Sequence, residues 1–355
     1  MEEISTRLAQ QGHQVTVYCR SHYTSRDLAT YRGVELVVLP TIRTKYLDTP
    51  VHTFLSCLHA AQREFDVALV VNSANAMFVP LLRAAEIPVA LHVDGVERRR
   101  TKWGRLGQAV YALSERLATR LPDVLITDAY VIQRYFVDRW QTTSTVITYG
   151  VEADPEPPGE ALSAFGLEPR RYFLYVSRFE PENNPHRVAE AYRGVGGDFP
   201  LVMVGDAPYA REFIRGFAEN ADPRVVLPGA VYGRGYRELL SHAFAYIHAT
   251  EVGGTHPALV EAMGYGNCVV VNETPENREV AGETALYFRA ADPQSLADAL
   301  QHLFDRPSTV VELGRQQAVR ARELYNWKKV TEEYLALFGH LTNQSFSRTK
   351  HHPSG

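Results

Sequence analysis

Cysteine is scarce. Cys19, Cys57 and Cys268 are scattered and odd in number among 355 residues. That excludes a disulfide framework and a zinc pattern, and suits a reducing cytoplasm. Long hydrophobic runs are missing as well. The longest apolar stretches, Val67–Val71 and Ile87–Leu91, are strand-sized, so no segment reads as a membrane-spanning helix. Neither sign of charge dominates: 37 Lys+Arg face 41 Asp+Glu, a net of -4. That argues against a dedicated nucleic-acid binder but leaves room for a local basic patch. No secretory signal pattern opens the chain. Familiar short signatures are absent too: no Gly-x-Gly-x-x-Gly after a strand, no Gly-x4-Gly-Lys-Ser/Thr, no His-Glu-x-x-His, no Asp-x-Asp and no Gly-x-Ser-x-Gly. A nicotinamide fingerprint, a P-loop, an evident metal site and a hydrolase elbow are thereby set aside.

What is present is a folded composition, 45% hydrophobic and 22% charged, in a chain long enough for two domains. Short Val/Ile/Leu runs alternate with amphipathic stretches. Strands are expected at Val15–Cys19, Val34–Leu39, Val67–Asn72, Val89–Val93, Val124–Thr127 and Val146–Thr148. Helices are expected between them at Pro50–Glu64, Met77–Ala85, Gln108–Arg120 and Tyr130–Trp140. A proline-rich, acidic stretch around Gly150–Gly159 reads as a linker. A second series follows, with strands Tyr172–Val176, Leu201–Gly205, Val225–Leu227, Ala245–His248 and Cys268–Val271. The alternation predicts the α/β class: two doubly wound, Rossmann-like domains of parallel strands covered by helices. The expected division is 1–150, a linker at 151–165, a second domain at 166–326, a closing helix at 327–340 and a disordered tail at 341–355. Ligands in such sheets bind at the carboxyl ends of the strands, so a cleft between the domains is the expected site.

Three features of the second half point to chemistry. Arg178 follows the strand Tyr172–Val176 and precedes an acidic, Asn-rich turn. An arginine there can clamp a phosphate bidentately; the plainer alternative is an ion pair with Glu180 or Glu182. Gly205 ends the next strand, where a missing side chain lets a ligand reach the backbone; an ordinary strand-to-turn glycine is the alternative. The third feature is the strongest. After His248 the chain reads Glu251, then Gly253–Gly254–Thr255, then Pro257 opening a helix that carries Glu261. Backbone N–H groups of such a loop can cradle a diphosphate with help from the helix dipole. Glu261 can accept from a ribose diol, and Glu251 can reach a sugar hydroxyl. A capped helix with solvated acids is the alternative for any one residue, and is weaker for the ensemble.

In the first half His92 and Asp94 follow a strand and so are expected at the cleft. Arg98, Arg99, Arg100, Lys102 and Arg105 then gather beside Trp103. They fit a grip on an acidic acceptor or an anionic membrane surface, or else a solvated charged loop.

These residues resemble the retaining glycosyltransferases of family 4, which have the two-Rossmann GT-B fold. Val204–Pro208 resembles that family's Val-Gly-Asp-Gly-Pro, Tyr149–Val151 its hinge, Glu261–Gly266 its Glu-Ala-Met-Ala-x-Gly and Trp327–Leu337 its closing helix, which crosses back to the first domain. The phrasing is most similar to a bacterial branch of rhamnosyltransferases and other polysaccharide-building enzymes. The resemblance spans Glu2 to about Phe338. It implies Arg178 and the amides of Gly253, Gly254 and Thr255 at the donor diphosphate, Glu261 at the ribose and Glu251 at the transferred sugar, with Gly205 and Asn183 as further donor-side candidates. It implies His92 near the reaction centre, with Asp94 toward the acceptor; Arg98, Arg99 and Lys102 are acceptor candidates from the basic run alone. No metal and no cofactor are implied beyond the nucleotide sugar itself.

Three departures stand out. Asn183 occupies the position of a diphosphate-binding lysine. Nine residues separate Glu251 from Glu261 where seven are usual. The family's opening strand and glycine-rich loop have no counterpart, since the chain starts with a helix, and a truncated start is the expectation.

The reading is a cytoplasmic, membrane-associated hexosyltransferase. It would move a hexose or deoxyhexose, with retention, from a nucleotide sugar to a glycan or lipid-linked acceptor, with no nucleic-acid partner. Rival readings are a noncatalytic nucleotide-sugar-binding paralogue, a sugar-nucleotide epimerase, a phosphorylase and a two-lobed sugar-binding protein. The phosphorylase needs a cofactor lysine, and lysine is scarce in the second domain.

Overall fold

The computed structural model of the chain describes residues 1–44, 46–100, 103–207 and 210–349. It divides into two compact units. The first comprises Met1–Arg98, Trp103–Thr148 and Trp327–Gly355; the second comprises Arg99–Lys102 and Tyr149–Asn326.

The first unit opens with helix α1 (Glu2–Gln10), which buries Ile4 and Leu8 on one face and keeps Glu2 and Glu3 in its first turn. Strands β1 (Thr16–Arg20), β2 (Thr30–Tyr31) and β3 (Val34–Leu39) form one sheet in the order β1-β3-β2. Helix α2 (Asp48–Ala60) leads to β4 (Ala68–Val71), a 3-10 turn Ser73–Phe78, α3 (Val79–Ala84) and β5 (Val89–Val93). Then come α4 (Arg105–Ala118), β6 (Val124–Thr127), α5 (Tyr130–Trp140) and β7 (Thr145–Val146). Strands β4, β5, β6 and β7 form a second, parallel sheet in that order. Every residue of β5 is buried, as expected for a parallel strand covered on both faces. Among the described residues no strand joins β1 to β4, so the unit has two sheets, and each of those strands has one edge unpaired.

The second unit holds α6 (Glu160–Ala164), β8 (Phe173–Val176), α7 (Pro185–Tyr192), β9 (Leu201–Val204), α8 (Arg211–Ala218), β10 (Val225–Gly229) and α9 (Gly233–His242). It continues with β11 (Ala245–His248), α10 (Pro257–Gly264), β12 (Cys268–Asn272), α11 (Pro275–Ala281), β13 (Leu286–Phe288), α12 (Pro293–Asp305) and α13 (Pro307–Leu324). Its six strands are all parallel, in the order β10-β9-β8-β11-β12-β13. The first strand of the unit is thus central and the order reverses between β8 and β11, the topological switch point of a doubly wound sheet. Helix α14 (Trp327–Thr349) belongs to the first unit, where Val330, Tyr334 and Leu341 pack with Ile4, Ala90 and Ile126.

Three expectations need correction. The stretch 151–165 is not a free linker. Val151 bridges Asn326, Leu162 is buried, and the buried Glu238 carboxylate accepts from the backbone of Gly159, Ala161 and Leu162. The expected tail from Leu341 is helical through Thr349, and the burial of Leu341 is the physical reason. Residues 350–355 of that tail lie outside the described residues. Strands β2 and β13 were not expected, being only two and three residues long.

Candidate functional site

The switch point gathers the second half's motifs. After β8 the chain turns through Arg178 and a 3-10 segment, Pro181–Asn183, and reaches Asn184 in the left-handed region at φ 56°. After β11 it passes through Thr250 and Glu251 to the glycine loop. Asn184 laces the two segments together. Its side-chain amide donates to the Ala249 carbonyl at 2.9 Å and to Glu251 Oε1 at 3.0 Å. The Glu251 N–H donates to the Glu182 carbonyl at 3.0 Å. From α11, Asn277 Nδ2 donates to the Thr250 and Asn272 carbonyls, each at 3.0 Å. Buried amide N–H groups bonded in this way fix a backbone because leaving them unpaired is costly.

Arg178 extends from this frame with 62% of its side chain exposed, its Nη1 3.5 Å from Glu180 Oε1. The alternative contact with Glu180 is present, and it leaves the guanidinium exposed. The guanidinium is accessible, and its carboxylate neighbour is at the long end of an ion pair. Asn183 is different. It is buried, and its side chain donates to the Arg178 carbonyl at 2.7 Å while its own carbonyl accepts from Tyr175. In this structure its amide closes the turn that presents Arg178. Gly205 is likewise explained by the backbone. A Cβ there would lie 1.8 Å from the Ser177 carbonyl oxygen, so the glycine lets two strand ends pass.

Gly253, Gly254 and Thr255 are all buried and lead into α10, which has Pro257 in its first turn. The ring of His256 lies against Gly253: a Cβ there would meet His256 Cε1 at 2.2 Å. Behind it is the His248 ring, centroid to centroid 4.8 Å. Burial pushes His256 down to about 4, aided by the nearby positive charge of Arg100, and pushes His248 well below the usual range. Both imidazoles are therefore neutral at pH 7. Glu261 stands on α10, where Tyr236 Oη donates to its Oε2 at 2.6 Å. Burial, then the Glu261 charge, raise the Tyr236 hydroxyl well above its ordinary value, so it stays a donor. Glu251 is exposed.

The first unit holds the remaining candidates. His92 is buried at the end of β5, and burial lowers its imidazole to about 4 against a hydrogen bond to the Ile147 backbone. Asp94 follows and is half-buried. Arg98 is turned inward. Its Nε donates to Tyr135 Oη at 2.9 Å and lies 3.4 Å from Glu115 Oε2, and Tyr135 donates to the same carboxylate at 2.7 Å. This triad is structural and corrects the expectation of an acceptor contact. Arg99, counted with the second unit, lies 3.7 Å from Glu276. Lys102 lies outside the described residues. Among the described residues no group of three or more His, Cys, Asp or Glu is arranged to hold a metal. No helix is long and apolar enough to cross a membrane.

Sequence reasoning missed Asn184, Tyr236, His248 and His256. The neighbouring Pro185 hinted at a turn before Asn184. Nothing local marks Tyr236, which meets Glu261 from 25 positions away.

Residues 170–306 match the family model described as "Glycosyl transferases group 1", and residues 1–149 match "Glycosyl transferase 4-like domain". A D-rhamnosyltransferase of Pseudomonas aeruginosa, WbpZ, is 26% identical over 196 residues, which are 53% of this chain and 51% of that protein. The chain thus spans about half the length of the curated relative it matches. Among solved structures, sucrose-phosphate synthase from Thermosynechococcus elongatus superposes with a TM-score of 0.83 at 16% identity, covering 96% of this chain and 92% of that one. Anabaena HepE in complex with UDP and glucose superposes with a TM-score of 0.79 at 14% identity, covering 95% and 94%. With one glycosyltransferase domain model on each half and the same two-domain α/β architecture, the chain belongs to the glycosyltransferases of GT-B fold.

Proposed function

We propose that the chain transfers a hexose or deoxyhexose from a nucleotide sugar to a glycan or lipid-linked acceptor. In this reading the anomeric configuration is retained, no metal is required, and the reaction takes place at the inner face of the membrane. One observation carries the reading. The loops after β8 and β11 meet at the switch point of the second unit, tied by Asn184 to Glu251, and Arg178, the glycine loop and Glu261 lie on those loops and the helix they open. That is the arrangement in which an open α/β sheet takes a nucleotide. The HepE structure with UDP and the D-rhamnosyltransferase relative support a nucleotide-sugar donor.

In this reading Arg178 and the amides of Gly253, Gly254 and Thr255 hold the diphosphate. The leaving group gains negative charge as the glycosidic bond to it breaks, so fixed donors aimed at it lower the barrier. Asn183 contributes by shaping the Arg178 turn, and Gly205 by letting the strand ends approach. Glu261, oriented by Tyr236, accepts from the ribose hydroxyls. Glu251 accepts from a hydroxyl of the transferred sugar. His92, neutral and therefore able both to donate and to accept, serves the reacting sugar, with Asp94 and Arg99 toward the acceptor.

The test is incubation of the full chain with UDP-, GDP- and dTDP-sugars and an acceptor extract, following nucleoside diphosphate release and the anomeric configuration of the product. The reading expects acceptor-dependent release that survives chelation of divalent ions. Donor binding without turnover would instead identify a noncatalytic binder.

A further inference from the structure

The carboxyl end of β1 holds a polar corner that the proposed reaction leaves unused. Arg20 is the last residue of β1. A tight turn follows, closed by the N–H groups of Tyr23 and Thr24, which donate to the Arg20 carbonyl at 3.0 and 3.1 Å. The turn meets the start of α2. Arg20 Nη2 donates to Thr49 Oγ1 at 3.0 Å, and its Nη1 lies 3.5 Å from Asp48 Oδ2. His22 Nε2 stands 3.9 Å from Asp48 Oδ1. His52 follows Asp48 by one helical turn, on the same side of α2, and is only 8% exposed.

Polar atoms outnumber their partners in this corner. Among the described residues Arg20 Nε, His22 Nδ1, Asp48 Oδ1 and His52 Nε2 are all shielded, and none makes a hydrogen bond. A buried polar atom ordinarily has a partner, since leaving it without one costs ~1–3 kcal/mol. Four such atoms on two adjoining segments form an incomplete set, and their chemistry limits what completes it. The guanidinium only donates and the carboxylate only accepts. Burial lowers the His52 imidazole from its ordinary value, so at pH 7 the ring is neutral, with one nitrogen donating and the other accepting. Arg20 and Asp48 cancel in charge: an anion would meet Asp48, and a cation would meet Arg20. Neighbouring hydroxyls, each able to donate and to accept, serve both kinds of partner at once.

Tyr23 is a second, separate observation. Its side chain is 76% exposed, yet its ring lies against His22 with centroids 4.1 Å apart. A pyranose has hydroxyls around its edge and an apolar C–H face. An exposed aromatic ring beside unsatisfied buried polar groups fits both parts of it, and open α/β sheets take ligands at the carboxyl ends of their strands. We infer that this corner is a saccharide subsite of the first unit: hydroxyls of an uncharged pyranose complete Arg20, His22, Asp48 and His52, while its C–H face lies on Tyr23. The occupant is a sugar of the acceptor, an assignment that rests on the proposed transfer to a glycan and specifies that the sugar recognised here is neutral.

The test is saturation-transfer NMR on the full chain with the methyl glycosides of glucose, galactose, mannose, rhamnose and N-acetylglucosamine. Methyl glucuronoside serves as the charged counterpart of the glucoside. At least one neutral glycoside should bind, and the glucuronoside should bind no better than the glucoside. Tyr23→Ala should weaken binding about fivefold, as for loss of a ring contact, and Tyr23→Phe should keep it. Asp48→Asn should weaken it about tenfold, as for loss of a hydrogen bond to a charged group. Tyr23 is exposed, so its two variants carry the test even where Asp48→Asn proves unstable in thermal unfolding. No binding of any neutral glycoside, tighter binding of the glucuronoside, or equal binding by the parent and Tyr23→Ala would each overturn the inference. Calorimetric titration with UDP, GDP and dTDP needs no glycoside and reads the proposed donor site separately. A chain that binds one of these nucleotides but no glycoside loses this subsite alone; one that binds a glycoside through Tyr23 but no nucleotide loses the proposed donor alone.

Discussion

Gly253→Ala adds a single methyl group where the His256 ring already sits. A Cβ there would lie 2.2 Å from Cε1 and 2.7 Å from Nε2 of that ring. Gly253 is not in the left-handed region, so alanine meets no backbone penalty and the cost is the collision. The ring cannot simply retreat, because the His248 ring lies 4.8 Å behind it on a fully buried strand. Overpacking of this kind costs ~1–3 kcal/mol, and alanine offsets about 0.4–1 kcal/mol by restricting the unfolded chain. The expected net destabilisation is therefore about 1–2 kcal/mol. A loop displaced by the collision should bind nucleoside diphosphate on the order of tenfold more weakly. In a His256→Ala background the collision partner is gone. There Gly253→Ala should change sign and stabilise by about 0.5 kcal/mol through the unfolded chain. Urea unfolding of the four proteins closes the cycle, and diphosphate titration reads the loop. An equal cost of Gly253→Ala in both backgrounds would refute the reasoning.

Other consequences can be checked separately. Tyr236→Phe removes the 2.6 Å bond to Glu261 and should weaken diphosphate-nucleoside binding about tenfold, as for a hydrogen bond to a charged group; calorimetry that finds no change would remove Tyr236 from the site. Arg98→Gln leaves Glu115 buried with one partner fewer and should cost ~2–3 kcal/mol of stability, below the value for a fully buried pair because Arg98 is partly exposed; donor affinity should not move. His92 has its folded pKa depressed to about 4 from an ordinary 6.5. The unfolded chain therefore takes up that proton first, and the stability His92 confers is complete above about pH 6.5 and lost as the pH falls toward 4, roughly 3 kcal/mol in all. Urea unfolding of His92→Gln across that range should show a shallower acid slope than the parent; an identical slope would contradict the assignment.

The regular elements were legible because parallel strands buried on both faces announce themselves as short apolar runs. β5, β6, α5 and β11 have the bounds that their residues suggest. Short edge strands carried too little pattern: β13 has three residues and β2 two. The helix expected at Met77–Ala85 divides into a 3-10 turn and α3, with Pro80 in the first turn of the latter. At the site the motif positions could be read, but their roles could not. Asn183 resembles a ligand position from its place in the motif, yet its amide is satisfied by the Arg178 carbonyl five residues back. Asn184 looked like a turn residue, and its partner Glu251 lies 67 positions away. Arg98 reads in sequence as one member of a basic run, because Glu115 and Tyr135 approach it only in the folded unit. Such pairings depend on which strands neighbour each other, and local sequence does not encode that.

The central claim is that the switch point of the second unit holds a nucleoside diphosphate with Glu261 on its ribose. The direct measurement is calorimetric titration of UDP, GDP and dTDP into the full chain and into Glu261→Gln. One of the three should bind the parent, with Glu261→Gln weaker by about 1.5–3 kcal/mol, the range for a hydrogen bond to a charged group. Binding of none of them, or the same affinity in both proteins, would contradict it.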